Sequence, residues 1–253
     1  MSEDVRIALL HGGGQGGWVW DETLAALRLQ TGAHGTRDRL QTFALDVPGC
    51  GRKRGRDTTE LGIDDIAREL LDDLTDAGMD DVVLVGHSQA GSVLPRMAEL
   101  APQRIRHLVY VSCSIPLPGQ TVLQMMGNGP HGSHTDEVGW PADPQTGEVR
   151  GRDPRPFRDD MRDGDTSAFL ARLGDDRWPM RSYSETDWRT DHLGAIPASY
   201  LICLRDRMLP AAWQETFAAR LKVRDRIYLD CGHQAMNARP QALAEILLRI
   251  AAP

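Results

Sequence analysis

The chain has 253 residues, 41% hydrophobic and 26% charged, which fits one large α/β domain or two small ones. A single domain of this size buries roughly three quarters of the surface its unfolded chain exposes, so it needs no disulfide or metal staple. The net charge of −7 argues against nucleic acid or an anionic membrane as the main partner and leaves a small-molecule substrate as the expected one.

The acidic start MSEDVRIALL carries only a short apolar run, so neither a signal peptide nor a membrane anchor is expected. A first strand over Arg6–Leu10 runs into the glycine-rich stretch HGGGQGGWVW, and a helix over Asp21–Leu29 follows. Next come a strand at Thr42–Leu45, the turn DVPGCG, a helix over Ile63–Ala77 and a strand at Val82–Val85. A helix is expected over Gln89–Leu100, with Pro95 removing a hydrogen bond inside it and bending it. The series ends with strands at Leu108–Ser112, Tyr200–Leu204 and Arg226–Leu229 and helices at Ala212–Leu221 and Gln241–Ile250. Short apolar runs alternating with amphipathic segments imply βαβ units. The expected fold is a mostly parallel six-stranded sheet with helices on both faces.

Between Pro116 and His192 the rhythm breaks into a stretch rich in Gly, Pro, Asp and Arg. A structureless loop of that length is improbable in a compact domain, so residues 116–192 are expected to form an inserted cap. Residues 1–115 and 193–253 would then make the core. A short helix at Thr166–Leu173 would belong to the cap, and Met125, Met126, Trp140, Phe157, Phe169, Trp178, Tyr183 and Trp188 would hold it together or line a pocket. Cys50, Cys113, Cys203 and Cys231 lack any CxxC spacing and read as buried free thiols of a reducing, cytoplasmic setting.

The chemistry centres on VGHSQAGSVL at 85–94. Ser88 follows the buried run DVVLVG and precedes a helical segment, where a strand-to-helix turn lifts a hydroxyl into the open. That turn is crowded and demands small residues on both sides of the serine. Gly86 and Ala90 meet the demand, although Ala90 stands where glycine is commoner. As nucleophile Ser88 needs a base and an orienting acid, in the order Ser, Asp or Glu, His. His233 follows the last strand, at the sheet edge where Ser88 emerges, whereas His107, His131, His134 and His192 lack that placement. Asp206 follows the strand SYLICLRD at the same edge, and Asp230 competes from three residues before His233. The other common place for the acid, after the fourth strand in VSCSIP, holds no carboxylate. Backbone N–H groups of Gln89 and Gly13 are the expected oxyanion donors, with the glycines letting the backbone approach a substrate. HGGGQGG also has the look of a phosphate cradle, but neither the dinucleotide fingerprint nor a phosphate-loop lysine accompanies it. No cofactor and no metal are called for.

With HGGGQGGWVW at 11–20, DVPGCG at 46–51, GHSQAG at 86–91, LRDRMLP at 204–210 and GHQAM at 232–236, the chain resembles the α/β-hydrolase superfamily. Within it, the likeness is to the branch of plant-type methylesterases and hydroxynitrile lyases. The resemblance implies Ser88 as nucleophile, His233 as base, Asp206 as its orienting acid, and Gly13 and Gln89 as oxyanion donors. Lyases of this branch carry threonine after the motif histidine and lysine after the catalytic one; here Gly12 and Gln234 stand there. The expected activity is therefore cleavage of a carboxylic ester, a methyl ester among the candidates. The rival readings are C–C cleavage, lactone opening or cyclisation on the same triad, and a binding protein on a retained fold.

Overall fold

The computed structural model describes residues 4–33, 40–127, 134–139, 161, 163–173 and 176–252. Six strands, β1 (Val5–Leu10), β2 (Leu40–Leu45), β3 (Val82–His87), β4 (Ile105–Val111), β5 (Ala198–Cys203) and β6 (Asp225–Leu229), form one sheet in the order β2-β1-β3-β4-β5-β6. Every neighbouring pair is parallel. All carboxyl ends therefore lie along one edge, where Leu10, His87, Val111 and Cys203 hand over to the loops that build the site.

Because side chains alternate across a strand, each inner strand feeds two cores. Ala8, Leu10, Leu84, Tyr110, Tyr200 and Ile202 face α2 (Ile63–Asp76), α3 (Leu94–Leu100) and α6 (Ala211–Arg220). Ile7, Leu9, Val83, Val85, Val109, Val111 and Leu201 pack with α1 (Asp21–Ala33) and α8 (Pro240–Ala251). Helix α2 shows how the sequence specifies this. Ile63, Ile66, Ala67, Leu70, Leu71 and Leu74 recur at helical spacing and are all buried, while Asp64 and Asp65 sit in the first turn, where the helix dipole favours negative charge. Each fully buried Ile or Leu contributes about 1.5–3 kcal/mol before ordering costs.

The short apolar runs expected of the strands are buried inside the sheet and give way at its edge. The edge strand β6 exposes Asp225, Arg226 and Tyr228, since an edge has one neighbour and charge there discourages pairing with another chain. A second correction concerns the helix expected over Gln89–Leu100. The chain makes a 3-10 turn at Ser88–Ser92, and α3 begins only at Leu94. Pro95 therefore lies in the first turn of a new helix, where a missing N–H costs nothing, and it causes no bend.

Between β4 and β5 the described residues contain no strand. They include α4 (Val122–Met126), α5 (Asp163–Leu173), which matches the expected short helix, and 3-10 turns at Met180–Ser184 and Asp191–Ala195. The remaining short helix of the core, α7 (Ala235–Ala238), leads into α8. Met125, Phe169, Trp178 and Trp188 are buried against the cores, and Met126 and Tyr183 pack beside them. Trp140 and Phe157 lie outside the described residues. All four cysteines are buried free thiols, as their spacing implied, and burial pushes the Cys50 and Cys113 thiols far up. Among the described residues no helix is long and apolar enough to cross a membrane.

Candidate active site

Strand β3 is buried along its whole length and leads into Ser88, whose backbone turns to φ +54°. A non-glycine residue in that left-handed region costs about 1–3 kcal/mol, so the surroundings must hold it there. Gly86 supplies the space: a Cβ there would lie 2.7 Å from Leu94 Cδ1 and 3.0 Å from Ala90 Cβ. The Ala90 methyl thus occupies room left by the missing Gly86 side chain, which explains how alanine serves at this corner. Gly91 is equally constrained, since its Cβ would lie 2.5 Å from the Ser114 carbonyl oxygen. The Ser114 N–H donates to the Ser88 carbonyl at 3.1 Å and ties the turn to the chain leaving β4.

Among the described residues, His233 is the histidine that reaches Ser88, with Nε2 3.0 Å from Ser88 Oγ. Its Nδ1 lies 2.7 Å from Asp206 Oδ2. The carboxylate can only accept there, so Nδ1 carries the proton and Nε2 is left to accept one from Ser88. Asp206 and His233 are both buried. Asp206 Oδ1 accepts the N–H groups of Met208 and Leu209, each at 2.8 Å. Its Oδ2 is further met by Ser112 Oγ at 2.5 Å and Gln214 Nε2 at 3.3 Å. Gln214 is wholly buried and also brackets Cys203 and Leu209 through their backbones, which sets the loop that presents Asp206. Asp230, the competing acid, is exposed and pairs with Arg205 at 2.7 Å instead.

Ser112 and Gln214 are contacts that sequence reasoning missed. The signal for Ser112 was present: a serine closes β4 in VSCSIP, the place read as lacking an acid. Its φ of +44° turns it out of the strand, and its Oγ lies 3.3 Å from His233 Nδ1 as well as against Asp206. A neutral donor therefore fills a place at the carboxylate's edge that a second acid would have contested.

Two further histidines frame the site and stay neutral. His87 Nε2 donates to the His233 carbonyl at 2.9 Å, and the two rings lie 4.6 Å apart. Burial, then the nearby His233, holds the His87 pKa well below the usual histidine range, so it sets no charge beside His233. His11 Nε2 accepts the Val47 N–H at 3.1 Å, which leaves its proton on Nδ1, 2.8 Å from the Gly12 carbonyl oxygen. Burial lowers its pKa too. His107 bonds Ser199 at 2.9 Å, His192 bonds the Pro95 carbonyl at 2.8 Å and His134 is exposed, all away from Ser88; His131 lies outside the described residues.

The glycine loop closes the other side of the serine. A Cβ on Gly12 would lie 2.9 Å from both His87 Nδ1 and Ser88 Cβ, so this position has no room for a threonine. A Cβ on Gly13 would meet Gln89 Oε1 at 2.2 Å, and that oxygen accepts the Tyr183 hydroxyl at 2.9 Å. Gly13 and Gln89 are thus brought together beside Ser88. Gln234, following His233, is fully buried.

A Nocardioides esterase described as hydrolysing carbendazim is 30% identical over 121 residues, covering 48% of this chain and 47% of that one. The chain thus spans about half of that relative's length or less, as it does for an Arabidopsis thaliana protein named as a methylesterase, of which it covers 30%. A rice protein named as a probable esterase aligns over nearly the whole of both chains, at 27% identity over 98% of this one and 97% of its own. A crystal structure of an Arabidopsis methylesterase superposes with a TM-score of 0.68 over 97% of this chain and 98% of its own, at 20% identity, a likeness of fold. Residues 7–246 match the profile of the alpha/beta hydrolase family, and the chain belongs to that family.

Proposed function

We propose that the protein hydrolyses carboxylic esters of small-to-medium hydrophobic acids, through an acyl-enzyme on Ser88. The observation that carries this reading is the unbroken line from Ser88 Oγ through His233 to Asp206, at 3.0 and 2.7 Å, on a turn strained to φ +54°. Ser88 Oγ attacks the ester carbonyl while its proton passes to His233 Nε2. The resulting imidazolium lies against the Asp206 carboxylate, and the new oxyanion lies toward the Gly13 and Gln89 N–H groups. As the C–O bond breaks, His233 returns the proton to the leaving alcohol. Water then repeats the sequence on the acyl group and frees Ser88 and the acid.

Gly12 and Gln234 favour hydrolysis over cyanohydrin cleavage, because this site has neither room for the lyases' threonine nor their lysine to receive a departing cyanide. The names of the relatives point the same way. The residues between β4 and β5 act in this reading as a cap over the site, and the substrate is a small molecule met in the cytoplasm.

The test is intact-mass analysis after exposure to a fluorophosphonate, followed by a panel of methyl, ethyl and aryl esters. The expected result is one adduct and turnover for the wild type and neither for Ser88→Ala. A folded wild type that takes no adduct and turns over none of the esters would sink the proposal.

A further inference from the structure

The Gly12 carbonyl oxygen accepts two hydrogen bonds at once, from His11 Nδ1 at 2.8 Å and from the indole Nε1 of Trp178 at 3.1 Å. Both donors are buried, and their rings meet edge to face with centroids 6.1 Å apart. His11 belongs to the loop itself, whereas Trp178 arrives from the β4–β5 connection, 166 residues away. The oxygen of Gly12 and the N–H of Gly13 belong to one planar peptide unit and, in the trans form, point opposite ways. Whatever fixes the oxygen therefore aims the N–H.

This peptide needs outside help to hold its direction. Three glycines, Gly12, Gly13 and Gly14, follow one another, and Gly14 adopts φ +67°. Such a stretch pays more ordering entropy than any other and has little intrinsic preference for one peptide orientation. Two donors on the carbonyl supply the preference, and by polarising the unit they also make its N–H a stronger donor.

We propose that Trp178 is a positioning residue for the oxyanion hole: its indole N–H orients the Gly12–Gly13 peptide so that the Gly13 N–H meets the developing oxyanion. The proposal rests on the ester-hydrolase reading. Trp178 is itself anchored by the two residues before it. The Arg177 N–H donates to the Gly49 carbonyl at 3.1 Å, and Asp176 accepts the Gly51 N–H at 2.7 Å and Arg54 Nε at 2.5 Å. One docked stretch thus completes the hole from outside the core.

The test compares wild type with Trp178→Phe, which keeps a ring and deletes the N–H. Should that variant fail to fold, 3-benzothienylalanine at 178 replaces the N–H by sulfur with almost no change of shape. With glycine labelled by ¹³C and ¹⁵N, the Gly13 amide proton is expected to move upfield, and kcat on the best ester to fall about tenfold, the loss of one hydrogen bond. KM is expected to stay within about twofold. Affinity for a trifluoromethyl ketone, which forms an oxyanion on adding Ser88, should fall with kcat, whereas affinity for the product acid should not. A raised KM with unchanged kcat would make Trp178 a pocket wall and overturn the proposal. An active wild type whose Gly13 resonance does not respond to the substitution overturns it alone, and a wild type inert to every ester and to fluorophosphonate overturns both readings.

Discussion

Asp206 and Asp176 are both buried carboxylates at the same edge of the sheet, and they are satisfied in opposite ways. Asp176 is met by a guanidinium, with Arg54 Nε and Nη2 at 2.5 and 2.6 Å, together with the Gly51 N–H and the Trp18 indole. Burial raises its pKa, but those donors outweigh it and hold the carboxyl below the usual carboxylate range. Its charge is cancelled permanently, which suits a residue that docks one segment onto another. Among the described residues Asp206 has no arginine or lysine partner; it is met by Ser112, Gln214, two backbone N–H groups and His233. Those donors are uncharged apart from the ring itself, so under the proposed mechanism the carboxylate faces the imidazolium that forms on His233 with no other cation beside it. The chemistry of the partners, rather than burial, separates the two carboxylates.

The largest effect expected from this contrast is at Asp206→Asn. The amide turns an N–H toward His233 Nδ1 and favours the tautomer whose Nε2 carries the proton, so Ser88 loses its acceptor. By the precedent of serine proteases kcat falls about 10⁴-fold. Steady-state kinetics on an ester checks this, and a loss below about tenfold would mean that Asp206 is not the orienting acid. Ser112→Ala comes next. It removes the 2.5 Å donor to Asp206 Oδ2 without changing the backbone demand, since alanine tolerates φ +44° no worse than serine. The expected loss is about 1 kcal/mol, roughly five- to tenfold in kcat with KM unchanged. Unaltered kcat would reduce Ser112 to filling space.

Much of this was legible in the sequence, for identifiable reasons. Apolar runs and helical spacing reported the sheet and its helices because the inner strands are buried on both faces. The meeting of Ser88, His233 and Asp206 was readable because parallel strands put all their exits on one edge, so three distant loops could be assigned to one place. Gln214 and Trp178 were harder, since each bonds a group on another element and leaves no motif in its own segment, whereas Ser112 stands at a recognisable place but without the carboxylate looked for there. The helix expected over Gln89–Leu100 is not formed as one piece because Pro95, a defect inside a helix, is at home in the first turn of a new one.

Asp176→Asn tests the structural half of the contrast. It weakens a charge-assisted pair whose arginine is partly exposed, so the cost is about 2 kcal/mol, a melting-temperature drop of about 4–8 °C for a chain this long. Activity should fall only as far as Trp178 is displaced. A variant as stable as wild type would show that the docking does not depend on the charge.

The last effect is absent at neutral pH, grows as pH falls, and comes from the neutral histidines on either side of the serine. His11 and His87 are both wholly buried with lowered pKa values, chiefly because burial disfavours the charged ring. In the unfolded chain they titrate near the ordinary value of about 6.5. Below that pH the unfolded state binds more protons than the folded one, so stability falls as pH falls and levels off only once the folded-state values are passed. Each histidine contributes a slope of up to about 1.4 kcal/mol per pH unit in that window. Thermal melts between pH 8 and 5 should therefore be flat above about 7 and decline below it. His87→Gln should flatten the decline relative to wild type even where its own melting temperature is lower, because it removes one of the two linked protons. Parallel wild-type and variant curves would show that His87 takes up its proton without unfolding, and the neutral frame around His233 would lose half its basis.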